Sequence, residues 1–105
     1  MNKYNSKRTY SQLVGRWFAS KAEAVRGEEL CLLEMAGEIT DLQYQVRYKL
    51  SENPKVTITI DFSYFENDEY KLEDTKGVLT RDFRTKMCWL KQRFSFDVIL
   101  SGTGR

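Results

Sequence analysis

The fold is decided by residues 60–77, whose sequence is IDFSYFENDEYKLEDTKG. Apolar and polar residues alternate on both sides of Asn67-Asp68, a pair suited to a two-residue turn, so the stretch predicts an antiparallel hairpin. With these two residues as the loop, Asp61 faces Asp74 across the hairpin. Two carboxylates opposite each other on one sheet face repel, because their side chains begin only about 5 Å apart. The register therefore predicts a cation between them, with Lys76 on the same face.

The composition narrows the chemistry that such a site can use. The chain has 105 residues, of which 41% are hydrophobic and 30% charged, and this suits one globular domain. It contains no histidine, which excludes Ser-His and Cys-His nucleophilic sites and His-containing zinc sites. Carboxylates and lysines remain, and they favour oxygen-ligated cations such as Mg²⁺ or Mn²⁺. Cys31 and Cys88 are isolated and are predicted to be buried free thiols.

Positive charge is concentrated at the N-terminus, where residues 1–22 carry five lysines and arginines and no acid. Cations neutralise phosphates and aromatic rings stack on bases, so this segment predicts contact with nucleic acid, the alternative being a solvated tail. We expect residues 1–16 to form an arm and residues 17–105 a single domain. No apolar run has the ~20 residues of a membrane span or resembles a signal peptide, so a cytoplasmic location is expected. The basic residues of the N-terminal segment are Lys3, Lys7, Arg8, Arg16 and Lys21, and the aromatic residues among them are Tyr4, Tyr10, Trp17 and Phe18.

Two helices are predicted from capping signals and helical spacing. Residues 20–23 read Ser-Lys-Ala-Glu, which fits a capping box, and Gly37 fits the residue after a helix end, so the first helix is predicted over residues 20–36. A second helix is predicted over residues 80–91. The predicted apolar faces are Ala22, Val25, Leu32, Leu33 and Ala36 in the first helix, and Phe83, Met87, Leu90 and Phe94 in the second.

Alternating apolar residues predict the strands. Residues 42–50, 56–64 and 69–76 form an antiparallel meander, and residues 96–100 form a last strand. The element order α-β-β-β-α-β predicts an α/β (α+β) fold in which helices flank a central mixed sheet.

The acidic pair and Lys76 suit the hydrolysis of phosphodiesters, which needs an activated water and charge neutralisation at phosphorus. Asp61 and Asp74 would hold a divalent ion from adjacent strands, with the main-chain carbonyl of Thr75 as a further ligand. Lys76 would carry positive charge near the attacking water or the scissile phosphate. Simpler alternatives stay open: Asp61 ends a strand or caps a turn, and Asp74 and Lys76 form a surface ion pair.

The pattern of Asp61 followed, one hairpin later, by Asp74-Thr75-Lys76 resembles the signature of the PD-(D/E)xK nuclease superfamily, with Ile60 in place of the signature proline. With the helix start FASKAE at residues 18–23, it more narrowly resembles the bacteriophage endonuclease I family of Holliday-junction resolvases and related small phage and prophage proteins. The similarity covers residues 17–92. It implies a restriction-endonuclease-like fold, one or two Mg²⁺ or Mn²⁺ ions per site, a homodimer, and action in a bacterial host.

The resemblance also implies that Glu23 joins the strand acids as a metal ligand, the alternative being that it only completes the capping box with Ser20. The expected function is metal-dependent cleavage of DNA, with branched DNA such as Holliday junctions as the substrate. Two alternatives stay open: a nicking, repair or degradative nuclease on linear or single-stranded DNA, and a non-catalytic nucleic-acid-binding protein with the same fold. The predicted catalytic residues are Glu23, Asp61, Asp74 and Lys76; the metal ligands are Glu23, Asp61, Asp74 and the Thr75 carbonyl; and the nucleic-acid-binding residues are Lys7, Arg8, Arg16, Trp17, Lys21, Arg81, Arg84 and Lys86.

Overall fold

The structure, a computed structural model, describes residues 7–102. Lys3 and Tyr4 of the predicted arm and residues 103–105 of the predicted domain lie outside the described residues. In chain order the elements are β1 (Thr9–Ser11), β2 (Arg16–Phe18), α1 (Lys21–Met35), β3 (Thr40–Glu52), β4 (Lys55–Glu66), β5 (Glu69–Thr75), α2 (Arg81–Phe94) and β6 (Val98–Ser101).

The central sheet has four strands in the order β3-β4-β5-β6. The first three strands are antiparallel, and β6 runs parallel to β5. Parallel neighbours require a crossover connection, which α2 supplies. After the short β1–β2 hairpin, the order α-β-β-β-α-β and the mixed sheet confirm the predicted α+β fold, and the arrangement is consistent with a restriction-endonuclease-like fold.

The hairpin between β4 and β5 has the predicted register. Glu66 pairs with Glu69, and the pairing continues in step to Phe62 and Glu73. Both turn residues have positive φ, 53° at Asn67 and 65° at Asp68. A two-residue turn of this kind matches the twist of the flanking strands, so the local sequence determines which residues face each other.

The sheet separates the two helices. Leu72 and Glu73 are adjacent in β5, so their side chains point to opposite faces. Leu72 packs in the core cluster that contains Phe83 and Leu90 of α2, whereas Glu73 is bonded to Arg26 of α1. The two helices therefore cover opposite faces of the sheet at this strand.

Strand β4 contributes to the core beneath both helices. Phe62 and Tyr64 belong to the cluster that contains Leu30 of α1, while Ile58 and Ile60 belong to the α2 cluster. The change from one cluster to the other falls at Asp61, so this residue lies where the two packed regions meet.

The buried face of α1 differs from the predicted one. Val25 and Leu32 are 48% and 53% exposed, and Ala22 and Ala36 are also exposed. The helix instead packs through Gly27, where an added Cβ would lie 2.7 Å from the ring of Phe18. That close approach turns a different face inward, and the buried residues are Glu23, Ala24, Gly27 and Leu30. In α2 the predicted face is confirmed for Phe83 and Leu90.

The two cysteines are free, as predicted, but neither is buried. Cys88 is exposed because α2 turns Phe83 and Leu90 inward, and Cys31 is partly exposed on α1. None of the helices within residues 7–102 is long and apolar enough to cross a membrane.

Part of the predicted N-terminal arm is a hairpin that packs on α1. Strands β1 and β2 pair Thr9 with Phe18, and Phe18 is buried. The Ser11 hydroxyl donates to Glu28 of α1 at 2.6 Å. The hairpin leads directly into Ser20, the residue that caps α1.

Candidate active site

Asp61 and Asp74 face each other at the end of the β4–β5 hairpin. The main-chain N–H of Asp61 donates to Oδ1 of Asp74 at 2.8 Å, and the N–H of Thr75 donates to Oδ2 of Asp61 at 2.8 Å. The two carboxylates thus accept amides just beyond the last paired residues, Phe62 and Glu73. The predicted proximity of the two aspartates is confirmed.

Burial makes this pair costly to ionise. Asp74 is 1% exposed, and burial together with the negative charge of Asp61 raises the pKa of Asp74 to about 6. Burial also raises the pKa of Asp61, although the Thr75 amide and the Gln45 amide partly oppose this. A bound cation would lower the cost of holding both groups ionised.

One oxygen of Asp74 is available to a ligand. Within residues 7–102 its buried Oδ2 accepts no well-formed hydrogen bond, although Nζ of Lys76 forms a salt bridge with it at 3.3 Å. The positive charge of this salt-bridged lysine lowers the pKa of Asp74 against the effect of burial. Its Nζ also lies 4.0 Å from the ring centre of Phe83, so α2 helps to hold it. Buried carboxylate oxygens normally have a partner, so Oδ2 is a position that a metal ion suits.

Glu23 enters the site from the first turn of α1. The Ser20 hydroxyl accepts the N–H of Glu23 at 3.1 Å, which is half of the predicted capping box. The Glu23 carboxylate is turned toward β3 and accepts the Gln45 side-chain amide at 3.1 Å. Burial, with the charge of Asp61 as a second cause, raises the pKa of Glu23 to about 7.

Gln45 is a site residue that the sequence did not reveal. Its Nε2 donates to Oε2 of Glu23 at 3.1 Å and to Oδ1 of Asp61 at 3.3 Å. Its backbone has a φ of 55°, in the left-handed region, although it lies within a strand. For a residue other than glycine this conformation costs on the order of 1 kcal/mol and concentrates at functional sites.

A β-bulge explains why Gln45 was missed. The tight turn at residues 53–54 sets a register that would place Val46 opposite Asp61. The register shifts by one between Lys49 and Ser51, and β3 beyond this bulge is displaced by one residue. Gln45 therefore lies opposite Asp61, between the observed pairs Tyr44–Phe62 and Val46–Ile60. No local sequence signal marks the bulge.

The acidic groups suit a cation that keeps other oxygen ligands. Within residues 7–102, no three acidic or cysteine side chains come together as a complete metal cage. Mg²⁺ usually takes one or two protein carboxylates and retains several waters, and the pair Asp61 and Asp74 fits that habit. The roles predicted for Glu23 and for the Thr75 carbonyl as ligands stay predictions.

A salt-bridged group ties α1 to β5 beside the site. Glu73 is fully buried and accepts Nε and Nη2 of Arg26, at 2.5 and 3.1 Å. The Tyr64 hydroxyl donates to the same carboxylate at 2.8 Å. Because Arg26 lies one helical turn after Glu23, this contact fixes the helix start against the strand that carries Asp74.

An open cleft of about 630 Å³ leads to these groups. Lys7 and Lys21 line it with Glu23, Asp61 and Lys76. Thr80, the N-cap of α2, also lines the cleft, and Arg81 and Arg84 in the first turn of that helix are exposed.

The other predicted nucleic-acid contacts differ in accessibility. Trp17 is 53% exposed and carries the Arg8 guanidinium 4.9 Å from its ring centre. Arg16 packs over Tyr44 at 4.7 Å and is partly buried. Lys86 is paired with Asp82 at 3.4 Å. Arg8 and Trp17 are therefore better placed to meet a ligand than Arg16 and Lys86.

Comparison with known proteins gives a family. A family model described as "Protein of unknown function (DUF1064)" matches residues 1–101. The chain belongs to the DUF1064 family. The comparisons found no curated protein and no solved structure that matches it. The family description names no activity, so the chemistry of this member is argued from its own residues.

Proposed function

We propose that this DUF1064 protein is a divalent-metal-dependent endonuclease that hydrolyses DNA phosphodiesters. The observation that carries the proposal is Asp74, a buried carboxylate whose Oδ2 accepts no well-formed hydrogen bond from the part of the chain that the structure describes. It lies beside a second carboxylate, Asp61, and 3.3 Å from Lys76. A buried carboxylate with a raised pKa, next to a half-buried carboxylate that lines an open cleft, favours a functional site over a structural core.

The chain's own residues divide the work. Asp61 and Asp74 hold the divalent ion, Mg²⁺ or Mn²⁺, and Glu23 is a further ligand, directly or through water. When bound, such an ion neutralises charge on the phosphoryl group and lowers the pKa of an attacking water. Nζ of Lys76 adds a fixed positive charge at the cleft wall, where it favours a phosphate group.

Positive groups around the cleft support a polyanionic substrate. Lys7 and Lys21 line the cleft, and Arg81 and Arg84 are exposed in the helix that begins after Thr80, another lining residue. Trp17, three residues before Ser20 at the start of α1, offers an exposed ring on which a base can stack. We propose branched DNA, such as a four-way junction, as the substrate, cleaved by a homodimer in the host cytoplasm.

The deciding experiment is cleavage of labelled four-way junctions in Mg²⁺ or Mn²⁺ by the wild type and by Asp74→Asn. We expect the substitution to lower the cleavage rate at least about 100-fold, because the metal supplies several kcal/mol of transition-state stabilisation. Asp97→Asn, which alters an exposed acid paired with Lys91, is the matched control and should cleave normally. Equal rates in the wild type and Asp74→Asn would refute the assignment.

Cleavage of several DNA substrates distinguishes a junction-specific nuclease from a nuclease that also cleaves linear or single-stranded DNA. Linear duplex, nicked duplex and single strands are compared with the junction at equal strand concentration. A preference for the junction supports a resolvase. Equal cleavage of linear DNA favours a nicking, repair or degradative nuclease that uses the same residues. Binding without products in any metal would instead favour a non-catalytic DNA-binding protein.

A further inference from the structure

We propose that Gln45 is a switchable metal ligand, whose side-chain amide joins the two carboxylates Glu23 and Asp61 in the metal-free protein and turns its oxygen toward the cation when metal binds. This inference rests on the proposed metal site and adds a ligand to it that the resemblance to known nucleases did not supply.

The first argument is geometric. The Gln45 nitrogen lies 3.1 Å from Oε2 of Glu23 and 3.3 Å from Oδ1 of Asp61. An amide nitrogen carries two hydrogens, so one group satisfies one oxygen of each carboxylate. Any cation that these two carboxylates share must take the place of those hydrogens.

The second argument concerns the ligand count. Within the described part of the chain, no third carboxylate joins two others closely enough to complete a cage. Hard cations accept the carbonyl oxygens of Asn and Gln side chains. Half a turn about the terminal bond of Gln45 exchanges its nitrogen for its oxygen, and that bond rotates in a broad two-fold well. Gln45 is exposed to the solvent, which leaves room for this rotation.

The third argument is the backbone. The φ of 55° at Gln45 is unfavourable for a side chain with a Cβ and interrupts a strand that pairs on both sides of it. A solvent-exposed glutamine has no packing reason to adopt this conformation. The bulge between Lys49 and Ser51 is also needed to bring this residue opposite Asp61. Strand β3 has another positive φ at Asp41 and another register shift between Thr40 and Gln43. The positive φ at Gln45 and the bulge between Lys49 and Ser51 are the two irregularities that place this amide between two acids.

Binding of Mn²⁺, measured by calorimetry at constant pH, tests the proposal without reference to cleavage. Gln45→Gly removes the amide, and glycine accepts the positive φ, so the variant should fold. We expect its affinity for Mn²⁺ to fall about tenfold, while Gln45→Glu, which keeps an oxygen donor at the same place, binds at least as tightly as the wild type. Gln43→Ala is the control, because Gln43 is exposed in the same strand and its side-chain amide donates to Asp41, away from the acidic pair; its affinity should change less than twofold.

A second measurement follows the amide itself. In a ¹H–¹⁵N spectrum the side-chain NH₂ signals of Gln45, identified by their loss in Gln45→Gly, should shift on addition of Mg²⁺. Those of Gln43 should stay in place. A signal from Gln45 that does not respond to saturating Mg²⁺ would overturn the proposed rotation.

The outcomes separate this inference from the function on which it rests. If wild-type protein binds no Mn²⁺ at millimolar concentration, the metal site itself is wrong and the role of Gln45 falls with it. If the wild type binds and Gln45→Gly binds equally well, the site stands and Gln45 is not a ligand. Tighter binding by Gln45→Gly would show that the amide competes with the ion, which also overturns the proposal.

Discussion

Glu73 and Asp74 are neighbours in β5 and are almost completely buried, at 0% and 1% exposed. Their carboxylates nevertheless differ in their hydrogen-bond partners and in the direction of their pKa shifts. Although burial acts to raise the pKa of Glu73, hydrogen bonds from Arg26 and Tyr64 hold it below its ordinary value. Burial and the charge of Asp61 raise the pKa of Asp74 to about 6. Glu73 is held by an arginine and a tyrosine, whereas Asp74 has a main-chain amide on one oxygen and the salt-bridged Lys76 beside the other.

The comparison separates structural from functional burial. A buried charge with a bidentate arginine belongs to the scaffold, because removing either partner leaves the other unpaired in a place with little water. A buried carboxylate with an oxygen that accepts no hydrogen bond is unfavourable for the fold alone. Fractional exposure does not distinguish the two residues, whereas their hydrogen-bond partners do.

The largest effect is expected from removing the satisfied acid. Glu73→Gln should lower the free energy of unfolding by about 3 kcal/mol, because Arg26 loses its carboxylate partner. Asp74→Asn, the matched change one residue along, should leave the metal-free stability unchanged or raise it, since it removes a group that is costly to ionise. Urea unfolding in EDTA at pH 7.5 measures both. An equal loss in the two variants would remove the distinction between scaffold and site.

The next effect is a dependence of metal-free stability on pH. The pKa values of Asp74, about 6, and Glu23, about 7, lie above their ordinary values of 3.8 and 4.5. At pH values between the ordinary and the raised pKa of each group, the folded protein binds more protons than the unfolded chain. The free energy of unfolding therefore falls as pH rises through this range. We expect a loss on the order of 2 kcal/mol from pH 5 to pH 7.5, since one pKa unit corresponds to about 1.4 kcal/mol.

The variants sharpen this second prediction. Asp74→Asn should flatten the profile between pH 5 and 7.5, as should Glu23→Gln. Glu73 has the opposite sign, because its lowered pKa gives stability that is present above 4.5 and is lost as pH falls further. Unfolding curves in EDTA at three pH values are sufficient. If the free energy of unfolding of the wild type rose steadily from pH 5 to 7.5, the raised pKa values of Asp74 and Glu23 would be wrong.

A smaller effect is expected from metal. If Mg²⁺ binds the folded protein alone, ten times its dissociation constant adds about 1.4 kcal/mol to the free energy of unfolding. Asp61→Asn should be more stable than the wild type in EDTA and should not respond to Mg²⁺. Asp97→Asn, at an exposed surface pair, should respond like the wild type. Melting curves with and without 10 mM MgCl₂ compare all three, and a response retained by Asp61→Asn would exclude that residue as a ligand.

Features that depend on adjacent residues could be predicted from the sequence, whereas features that depend on residues elsewhere in the fold could not. Asn67 and Asp68 adopt the positive φ that their turn requires, so the pairing of β4 with β5, and hence Asp61 with Asp74, followed from adjacent residues. Gln45 reaches the same site only through a bulge five residues away in β3, and bulges carry little sequence signature.

The first helix shows the same limit. Its start at Ser20 was predictable from the capping pattern, because that contact is local. Its rotation depends on the ring of Phe18 packing against Gly27, which is a tertiary contact. That rotation buries Glu23 and exposes Val25, so a hydrophobic count along the helix selected the wrong face. The role of Glu23 as a metal ligand stays a prediction.

The smallest effect on stability is expected from replacing Lys76, the cation beside Asp74. Lys76 is 30% exposed and forms a 3.3 Å salt bridge with Asp74, so solvent screens the pair and Lys76→Met should change the free energy of unfolding by less than about 1 kcal/mol. Arg26→Met should cost about as much as Glu73→Gln, because it leaves a buried carboxylate without its partner. The cleavage assay should reverse this ranking for Lys76→Met, which is expected to be folded but nearly inactive. If Lys76→Met were as unstable as Arg26→Met, the pair of Lys76 with Asp74 would be needed for folding. The contrast between Asp74 and Glu73 would then be wrong.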